Sequence, residues 1–193
     1  MEIFLICFNK KSSEFNISDI SQNRTRLLIF NSVKRMNNKF LSSYAKYLVK
    51  YIASTRLNVD ISCINFSYGK NGKPYIEDYP NFQFNISHTK DSLVVVITDI
   101  SVGIDIEKLE PAMLKIANRF FSKEEQNYIY LSNDNQNKRF FEIWTKKEAY
   151  IKWTGKGLSQ SLSSFDVTTP EISKLLSTFE IDEYIISVCT ERK

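Results

Sequence analysis

Two β-rich runs with a short connection lie at the middle of the 193-residue chain. Leu93–Thr98 is almost wholly aliphatic, and in Val102–Glu107 isoleucines alternate with acidic residues. Runs of this length and composition predict strands, and the three residues between them, Asp99–Ser101, predict a hairpin. We therefore expect antiparallel sheet at the centre of the molecule, and a boundary between two halves near residues 99–101.

The rest of the chain predicts helices and strands in mixed order. Further strands are predicted at Glu2–Phe8, Ile61–Phe66, Phe82–Ile86, Phe165–Thr168 and Tyr184–Val188. Helices are predicted at 24–35, at 38–54, from Pro111 onward, after a capping box of Ser122 and Glu125, and at Arg139–Trp153, where Gly155 should end the helix. This order predicts an α+β fold with antiparallel sheets.

Composition excludes several classes of protein and site. The 42% apolar and 25% charged residues are typical of a globular chain. Three separated cysteines and a single histidine, His88, argue against a disulfide framework and a multi-histidine metal site. The longest strictly aliphatic run, Leu93–Ile97, is too short to span a membrane, and the apolar start is too short for a signal peptide. We expect a soluble cytoplasmic protein with no membrane partner.

Charge is unevenly distributed along the chain. Between Ile20 and Val59 there is no acidic residue, whereas the net charge of +4 implies that the other residues sum to −4. The eight basic residues of this stretch are Arg24, Arg26, Lys34, Arg35, Lys39, Lys46, Lys50 and Arg56. Such asymmetry favours an anionic ligand bound by the first part of the chain. A solvated helix face and a basic nucleic-acid-binding module without catalysis are the alternatives.

The run Val102–Lys108 carries an acidic pair. Alternation along a strand places Asp105 and Glu107 on one face, about 6–7 Å apart. Two carboxylates in this position repel each other unless a cation lies nearby, and Mg²⁺ commonly takes one or two carboxylates together with substrate phosphates. An exposed acidic pair on an amphipathic strand has the same spacing, so the pattern leaves both interpretations open.

A second group of polar residues lies on the long predicted helix. Trp144, Glu148 and Lys152 follow each other at four-residue steps and therefore line one stripe of the helix. This spacing suits a simple intrahelical ion pair between Glu148 and Lys152. It also suits a site in which Glu148 is a third oxygen ligand for a metal and the Lys152 ammonium faces a phosphate. The glycines that follow do not form a phosphate-binding P-loop, because Tyr150 stands where that motif requires glycine.

Four separated blocks in this order resemble the 4′-phosphopantetheinyl transferase superfamily, in its larger, pseudodimeric type that activates surfactin synthetase. The blocks are FNISHTKDSLVVVI, VGIDIEK, RFFSKEE and W-x-x-KEA-x-x-K-x-x-GKGLS, and the resemblance extends from about Tyr68 to Val167. It implies two similar α/β halves with antiparallel sheets that form an intramolecular pseudodimer. Residues 1–99 would form the basic half that contacts coenzyme A, and residues 100–193 the half with the metal-binding carboxylates.

The resemblance also implies an activity. Such enzymes use Mg²⁺ to transfer the 4′-phosphopantetheine arm of coenzyme A to a serine of an apo acyl or peptidyl carrier protein, and release 3′,5′-ADP. A monomer is expected, with coenzyme A and the carrier protein as partners and no nucleic acid. The short, homotrimeric holo-acyl-carrier-protein synthase is the alternative within the superfamily, and a structural scaffold would leave the acidic residues replaceable.

The resemblance also implies a role for each residue that stands at a matching position. The metal ligands would be Asp105, Glu107 and Glu148. Lys152 would assist the leaving phosphate, and Glu148 would accept the serine proton, directly or through a metal-bound water.

The contacts with coenzyme A and the carrier protein carry over in the same way. Ser87 and His88 match positions at the 3′-phosphate, and Lys73 and Pro74 match the adenine and phosphate loop. Lys39 is the preferred further phosphate contact, with Lys46 or Arg35 as alternatives. The segment Gly155–Ser164, with Lys156 at its rim, is expected to dock the carrier protein.

Overall fold

Four strands from the first half of the chain form the first sheet: β1 (Glu2–Phe8), β2 (Thr25–Phe30), β5 (Gln83–His88) and β6 (Ser92–Thr98). The structure is a computed structural model that describes residues 1–8, 25–30, 37–112, 114–131 and 133–191. The strand order in the sheet is β2-β1-β6-β5. Strand β1 pairs in parallel with β2 and antiparallel with β6, which pairs antiparallel with β5.

Helix α1 (Asn38–Leu57) packs on the first sheet through one apolar stripe. Leu41, Ala45 and Val49 recur at four-residue steps on this stripe and are fully buried. The side chain of Asn37 caps the first turn by accepting a hydrogen bond from the backbone N–H of Phe40 at 2.9 Å.

The second sheet, in the order β7-β9-β8, is antiparallel throughout. It consists of β7 (Val102–Lys108), β8 (Leu176–Ile181) and β9 (Tyr184–Thr190). Helix α4 (Gln136–Thr154) lies against β7, and this close approach requires a glycine, Gly103, on the strand. A Cβ atom at Gly103 would lie 2.1 Å from the carbonyl oxygen of Ala149 and 2.4 Å from the amide nitrogen of Trp153.

The remaining elements are short. They are β3 (Phe66–Tyr68), β4 (Pro74–Ile76), α2 (Leu114–Phe120), α3 (Lys123–Tyr130), α5 (Pro170–Ser173) and 3₁₀ turns at Ile61–Cys63, Asn133–Asn135, Gly157–Ser159 and Leu162–Ser164. Within the described ranges, no helix is both long and apolar enough to cross a bilayer.

The two sheets meet where β5 lies beside β7, a contact that we call the seam. The amide oxygen of Asn85 on β5 accepts a hydrogen bond from the backbone N–H of Ile104 on β7 at 2.9 Å. One apolar core includes residues of both sheets, among them Leu5 and Val94 from the first and Ile106 from the second. Because Ile104 and Ile106 point into this core, alternation turns Asp105 and Glu107 to the face of β7 that α4 covers.

The α+β class and most of the predicted elements are confirmed. The strands predicted at residues 2–8, 82–86, 93–98, 102–107 and 184–188, the helix at 38–54, and the capping box of Ser122 and Glu125 are all present, with the second of these strands at Gln83–His88. Helix α4 ends at Gly155, which adopts a left-handed conformation with φ 67°.

The predicted hairpin was wrong. Strands β6 and β7 do not pair with each other, because the chain leaves the first sheet after Thr98 and enters the second at Val102. The short connection that suggested a hairpin is instead the crossing between the two sheets.

Three other predicted elements were also wrong. Of the helix predicted at 24–35, residues 25–30 form strand β2, because pairing with β1 prevails over a short apolar run that suits either state. Residues 24 and 31–35 lie outside the described residues. The predicted strand at 61–66 is a 3₁₀ turn that precedes β3, and residues 165–168 form a turn. Strand β8 was missed because its apolar residues, Leu176, Phe179 and Ile181, do not alternate regularly with polar ones.

Candidate active site

Three polar side chains meet at the seam. Oδ1 of Asp105, on β7, accepts hydrogen bonds from Oγ of Ser87 on β5 and from Nζ of Lys152 on α4, both at 2.7 Å. The Lys152 ammonium also donates to Oγ of Ser87 at 2.8 Å. One residue from each of three elements therefore closes a triangle that joins the first sheet to the second.

The second carboxylate oxygen of Asp105 is available to bind a further group. Asp105 is only 4% exposed, and its Oδ2 atom has no hydrogen-bond partner among the residues that the structure describes. Buried polar atoms are almost always paired, since an unpaired one costs free energy. An oxygen in this state is suited to bind a cation or a donor that arrives with a ligand.

Glu107 and Glu148 share the desolvated surroundings of Asp105. Burial, and then repulsion by Asp105, raise the pKa of Glu107 to about 7, although a hydrogen bond from Trp144 opposes the shift. Burial and Asp105 also raise the pKa of Glu148, against the attraction of Lys152. These three carboxylates, which we call the acidic cluster, disfavour one another's charge, and a bound cation would relieve that repulsion.

The acidic cluster is not a preformed metal cage. In the described part of the chain, no three Asp, Glu, His or Cys side chains lie close enough to hold a metal ion by themselves. Mg²⁺ does not require such a cage, because it usually keeps several waters and binds one or two carboxylates together with substrate phosphates. The unpartnered oxygen of Asp105 and the raised pKa values of its two neighbours fit that mode of binding.

His88 follows Ser87 on β5 and is partly buried. Burial and the nearby Lys152 ammonium lower the pKa of His88, whereas Asp105 acts in the opposite direction. The imidazole is therefore neutral near pH 7 in the free protein, and an anion placed beside it would raise its affinity for a proton.

A cavity of about 500 Å³ opens beside the triangle. Glu148 and Lys152 of α4 line it together with Lys73, the last residue of the loop before β4, and Pro74, the first residue of that strand. The other lining residues are Asn71, Gly72, Asn85, Ile86, Phe120, Ile151, Gly155, Gly157, Gln160, Ser161 and Leu162. A second cavity, of about 230 Å³, shares no residue with the first and includes Glu107 and Trp144 in its wall.

The basic residues assigned from the resemblance are differently placed. The Lys73 ammonium donates hydrogen bonds to the carbonyl oxygens of Val102 and Lys152, at 2.9 and 2.8 Å. Lys39 is exposed in the first turn of α1, and Lys46 donates to the hydroxyl of Tyr68 at 3.0 Å. Arg35 lies outside the described residues.

Sequence reasoning missed two residues that hold the site together. Asn85 joins β5 to β7, and Asn71 donates a hydrogen bond to the carbonyl oxygen of Gly155 at 2.9 Å. Asparagine in a strand and asparagine beside a glycine are signals, but their partners lie 19 and 84 residues away and could not be identified from the sequence.

Sequence comparison with known proteins relates this chain to one protein family. Residues 101–193 match the profile of the 4′-phosphopantetheinyl transferase superfamily, and residues 11–100 match a profile described as 4′-phosphopantetheinyl transferase, N-terminal. A 4′-phosphopantetheinyl transferase of Bacillus pumilus is 36% identical over 159 residues, covering 75% of this chain and 68% of the relative. The 4′-phosphopantetheinyl transferase Sfp of Bacillus subtilis strain 168 is 37% identical over 156 residues, covering 74% of this chain and 70% of the relative.

Proposed function

This chain belongs to the 4′-phosphopantetheinyl transferase family, and from that premise we propose that it transfers the phosphopantetheine arm of coenzyme A to a serine of an apo carrier protein. The reaction leaves 3′,5′-ADP. The observation that carries the proposal is the triangle of Ser87, Asp105 and Lys152 at the seam, with an unpartnered carboxylate oxygen at its centre.

The chemistry explains why these residue types are needed. Because the carrier protein supplies the serine nucleophile, this chain needs no nucleophile of its own. It must bind a diphosphate, align the attacking hydroxyl with the phosphorus, and accept a proton.

We propose that Asp105, Glu107 and Glu148 would hold Mg²⁺ together with the phosphates of coenzyme A, since the three carboxylates do not lie close enough to hold a metal ion by themselves. A divalent cation bound there would stabilise the negative charge of the diphosphate and the further charge that develops during transfer. Lys152 directs its ammonium at the leaving phosphate once the ligand competes for the hydrogen bonds that this group now gives to Asp105 and Ser87.

Glu148 is the proposed acceptor of the serine proton, directly or through a water. Its position in the wall of the larger cavity and its raised pKa both support this role. A carboxylate whose pKa lies closer to neutrality accepts a proton more readily than an ordinary one.

The far end of coenzyme A is assigned to the first half of the chain. We propose that Ser87 and His88 contact the 3′-phosphate, that Pro74 lies beside the adenine, and that Lys39 adds a further basic contact. His88 would become protonated as the phosphate binds, since a neighbouring anion favours the charged imidazole.

We propose that residues 1–99 and 100–193 form the two halves of an intramolecular pseudodimer and that the protein acts as a monomer. The contribution of β5 to one side of the triangle, and of β7 and α4 to the other, supports a site built within one chain. The carrier protein would dock at Gly155–Ser164, where Lys156 is exposed and could attract an acidic partner.

The nucleic-acid-binding alternative has little support. The relatives named above are transferases, and several basic side chains of the first half have partners within the chain. Arg56 pairs with Glu2 at 2.6 Å, and Lys46 binds Tyr68.

Mass spectrometry of several apo carrier proteins, incubated with this protein, coenzyme A and Mg²⁺, tests the proposal. A mass gain equal to one phosphopantetheine arm on the carrier serine is expected. The absence of this product from a panel of acyl and peptidyl carrier proteins, with a relative active on the same panel as the positive control, would refute the assigned reaction.

A further inference from the structure

We propose that Lys73 is a positioning residue that caps the C-terminal end of helix α4 from the opposite side of the seam and thereby fixes Lys152. The proposal rests on the function proposed above, because Lys152 has its role in that reaction. It departs from the assignment of Lys73 to coenzyme A binding, which came from resemblance.

The end of α4 is held by donors from outside the helix. The last carbonyl groups of a helix have no partner in the next turn and must be satisfied elsewhere. Lys73 donates to the carbonyl oxygen of Lys152 at 2.8 Å, and Asn71 donates to that of Gly155 at 2.9 Å. Both donors belong to residues 69–73, which we call the capping loop.

Lys73 also ties the helix end to the strand that carries Asp105. Its ammonium donates to the carbonyl oxygen of Val102, the first residue of β7, at 2.9 Å. One partly buried cation therefore joins the start of β7 to the end of α4. A cation is favoured at this position because the carbonyl ends of a helix carry partial negative charge.

The capping loop and the helix end are also closely packed. A Cβ atom at Gly155 would lie 4.0 Å from Cδ of Lys73, and one at Gly157 would lie 3.2 Å from Cβ of Asn71. The aliphatic stem of Lys73 therefore lies against the turn that ends α4. Movement of the loop would move this turn with it.

Lys152 is in consequence held at two points. Its carbonyl oxygen is bound by Lys73, and its ammonium is bound by Asp105 and Ser87. Loss of the backbone anchor would allow the last turn of α4 to fray and the ammonium to shift from the phosphate. The expected consequence is a slower chemical step with little change in the binding of coenzyme A.

The test compares Lys73→Met, which keeps an unbranched side chain of nearly the same length but removes its donors, with Lys73→Arg, which keeps donors. Lys70→Met is the matched control, since Lys70 is an exposed lysine of the same loop. Four quantities are measured on the full chain: kcat and KM for transfer, the Kd of coenzyme A by calorimetry, and amide hydrogen exchange in residues 151–155.

We expect Lys73→Met to lower kcat by about ten-fold, as a small misplacement of a reacting group does. The Kd of coenzyme A should stay within about two-fold, since no ligand contact is lost. Exchange in residues 151–155 should become faster, Lys73→Arg should recover part of kcat, and Lys70→Met should match the parent.

Weaker binding of coenzyme A with unchanged kcat would make Lys73 a ligand contact, and unchanged exchange in residues 151–155 would exclude the capping role. If Lys73→Met does not fold, Asn71→Ala decides, because it removes only the neighbouring bond to Gly155. Faster exchange and a smaller loss of kcat would support the proposal, and unchanged exchange would overturn it. The exchange measurement needs no substrate, so it remains decisive even if the proposed transfer is not observed.

Discussion

Glu107 carries its charge at a cost to the folded protein. Its pKa is raised to about 7 from an ordinary value of 4.5, mainly by burial and then by Asp105. Above pH 7 the folded state must hold a charged carboxylate that the unfolded chain exposes to water. Below about pH 4.5 the group is protonated in both states, and the penalty disappears.

Glu107→Gln is therefore expected to stabilise the metal-free protein at pH 8, by about 1–2 kcal/mol after allowance for partial exposure. The gain should shrink as the pH falls from 7 toward 4.5. Denaturant unfolding in the presence of a chelator measures it, with Glu110→Gln as the control because Glu110 is an exposed carboxylate paired with Lys90. An equal gain at pH 8 and pH 5 would contradict the assigned cause.

His88→Ala should weaken the binding of coenzyme A by about 1–3 kcal/mol, the usual loss for one charge-assisted hydrogen bond. Binding of dephospho-coenzyme A should change much less, because that ligand lacks the 3′-phosphate. Calorimetry with both ligands checks this difference. Equal losses for the two ligands would make His88 a structural residue, and a lower kcat at unchanged affinity would give it a part in the chemical step.

For individual residues, the sequence predicted which side chains belong to the candidate site better than it predicted their contacts. The acidic pair on one face of β7 followed from alternation alone, and the structure turns both carboxylates toward α4. The raised pKa of Glu107 depends on burial and on Asp105, Trp144, Lys152 and Glu148 together, a set of neighbours that no local pattern contains.

Gly103 sets the distance between β7 and α4. A methyl group there would lie within 2.5 Å of two backbone atoms of the helix, so Gly103→Ala must push α4 away from the strand. We expect a loss of stability of about 1–3 kcal/mol, typical of overpacking, and a larger loss of transfer, because Glu148 and Lys152 would move away from Asp105. Unfolding and steady-state kinetics measure the two effects. Full activity in the folded variant would show that this distance is not critical.

A buried ion pair fixes the other side of α4. Lys147 on α4 and Glu125 on α3 are fully buried, with Nζ 2.6 Å from the nearer carboxylate oxygen. Glu125 also accepts hydrogen bonds from the backbone N–H groups of Ser122 and Val167, both at 2.8 Å. The network joins α3, α4 and the segment that contains Val167.

Lys147→Met should destabilise the protein by about 3–5 kcal/mol, because it leaves the Glu125 carboxylate buried without its cation. Adding Glu125→Gln should recover part of the loss. Lys138→Met is the surface control, since its partner Glu180 is well exposed, and it should cost less than about 1 kcal/mol. Equal effects of the two lysine substitutions in denaturant unfolding would show that burial of the pair is unimportant.

Elements with strong local signals were predicted correctly. The capping box of Ser122 and Glu125 and the terminating Gly155 each have a mechanism that acts within one turn, so the sequence alone sufficed. The hairpin at residues 93–107 failed because strand pairing is decided by the whole sheet. The short run at 25–30 failed because its parallel pairing with β1 is a contact between distant segments.

At the scale of the whole molecule, the candidate site depends on the junction between two sheets. Ser87 and Asn85 reach across from β5, and Lys73 and Asn71 reach across from the capping loop. The four sequence blocks predicted that residues from both halves cooperate. The contacts across the seam could not be predicted, because their donors and acceptors are separated by 18 to 84 residues and no periodic pattern relates them.

The central claim is that the acidic cluster at the seam is required for phosphopantetheine transfer. The rate of a single turnover of this transfer tests the claim most directly. The parent protein, Asp105→Ala and Glu148→Gln are each mixed with coenzyme A and an apo carrier protein at low Mg²⁺, after circular dichroism has shown that they are folded. The account predicts transfer by the parent and a nearly complete loss in both variants, with Glu110→Gln retaining the parent rate. Transfer by folded Asp105→Ala at a rate close to that of the parent would contradict it.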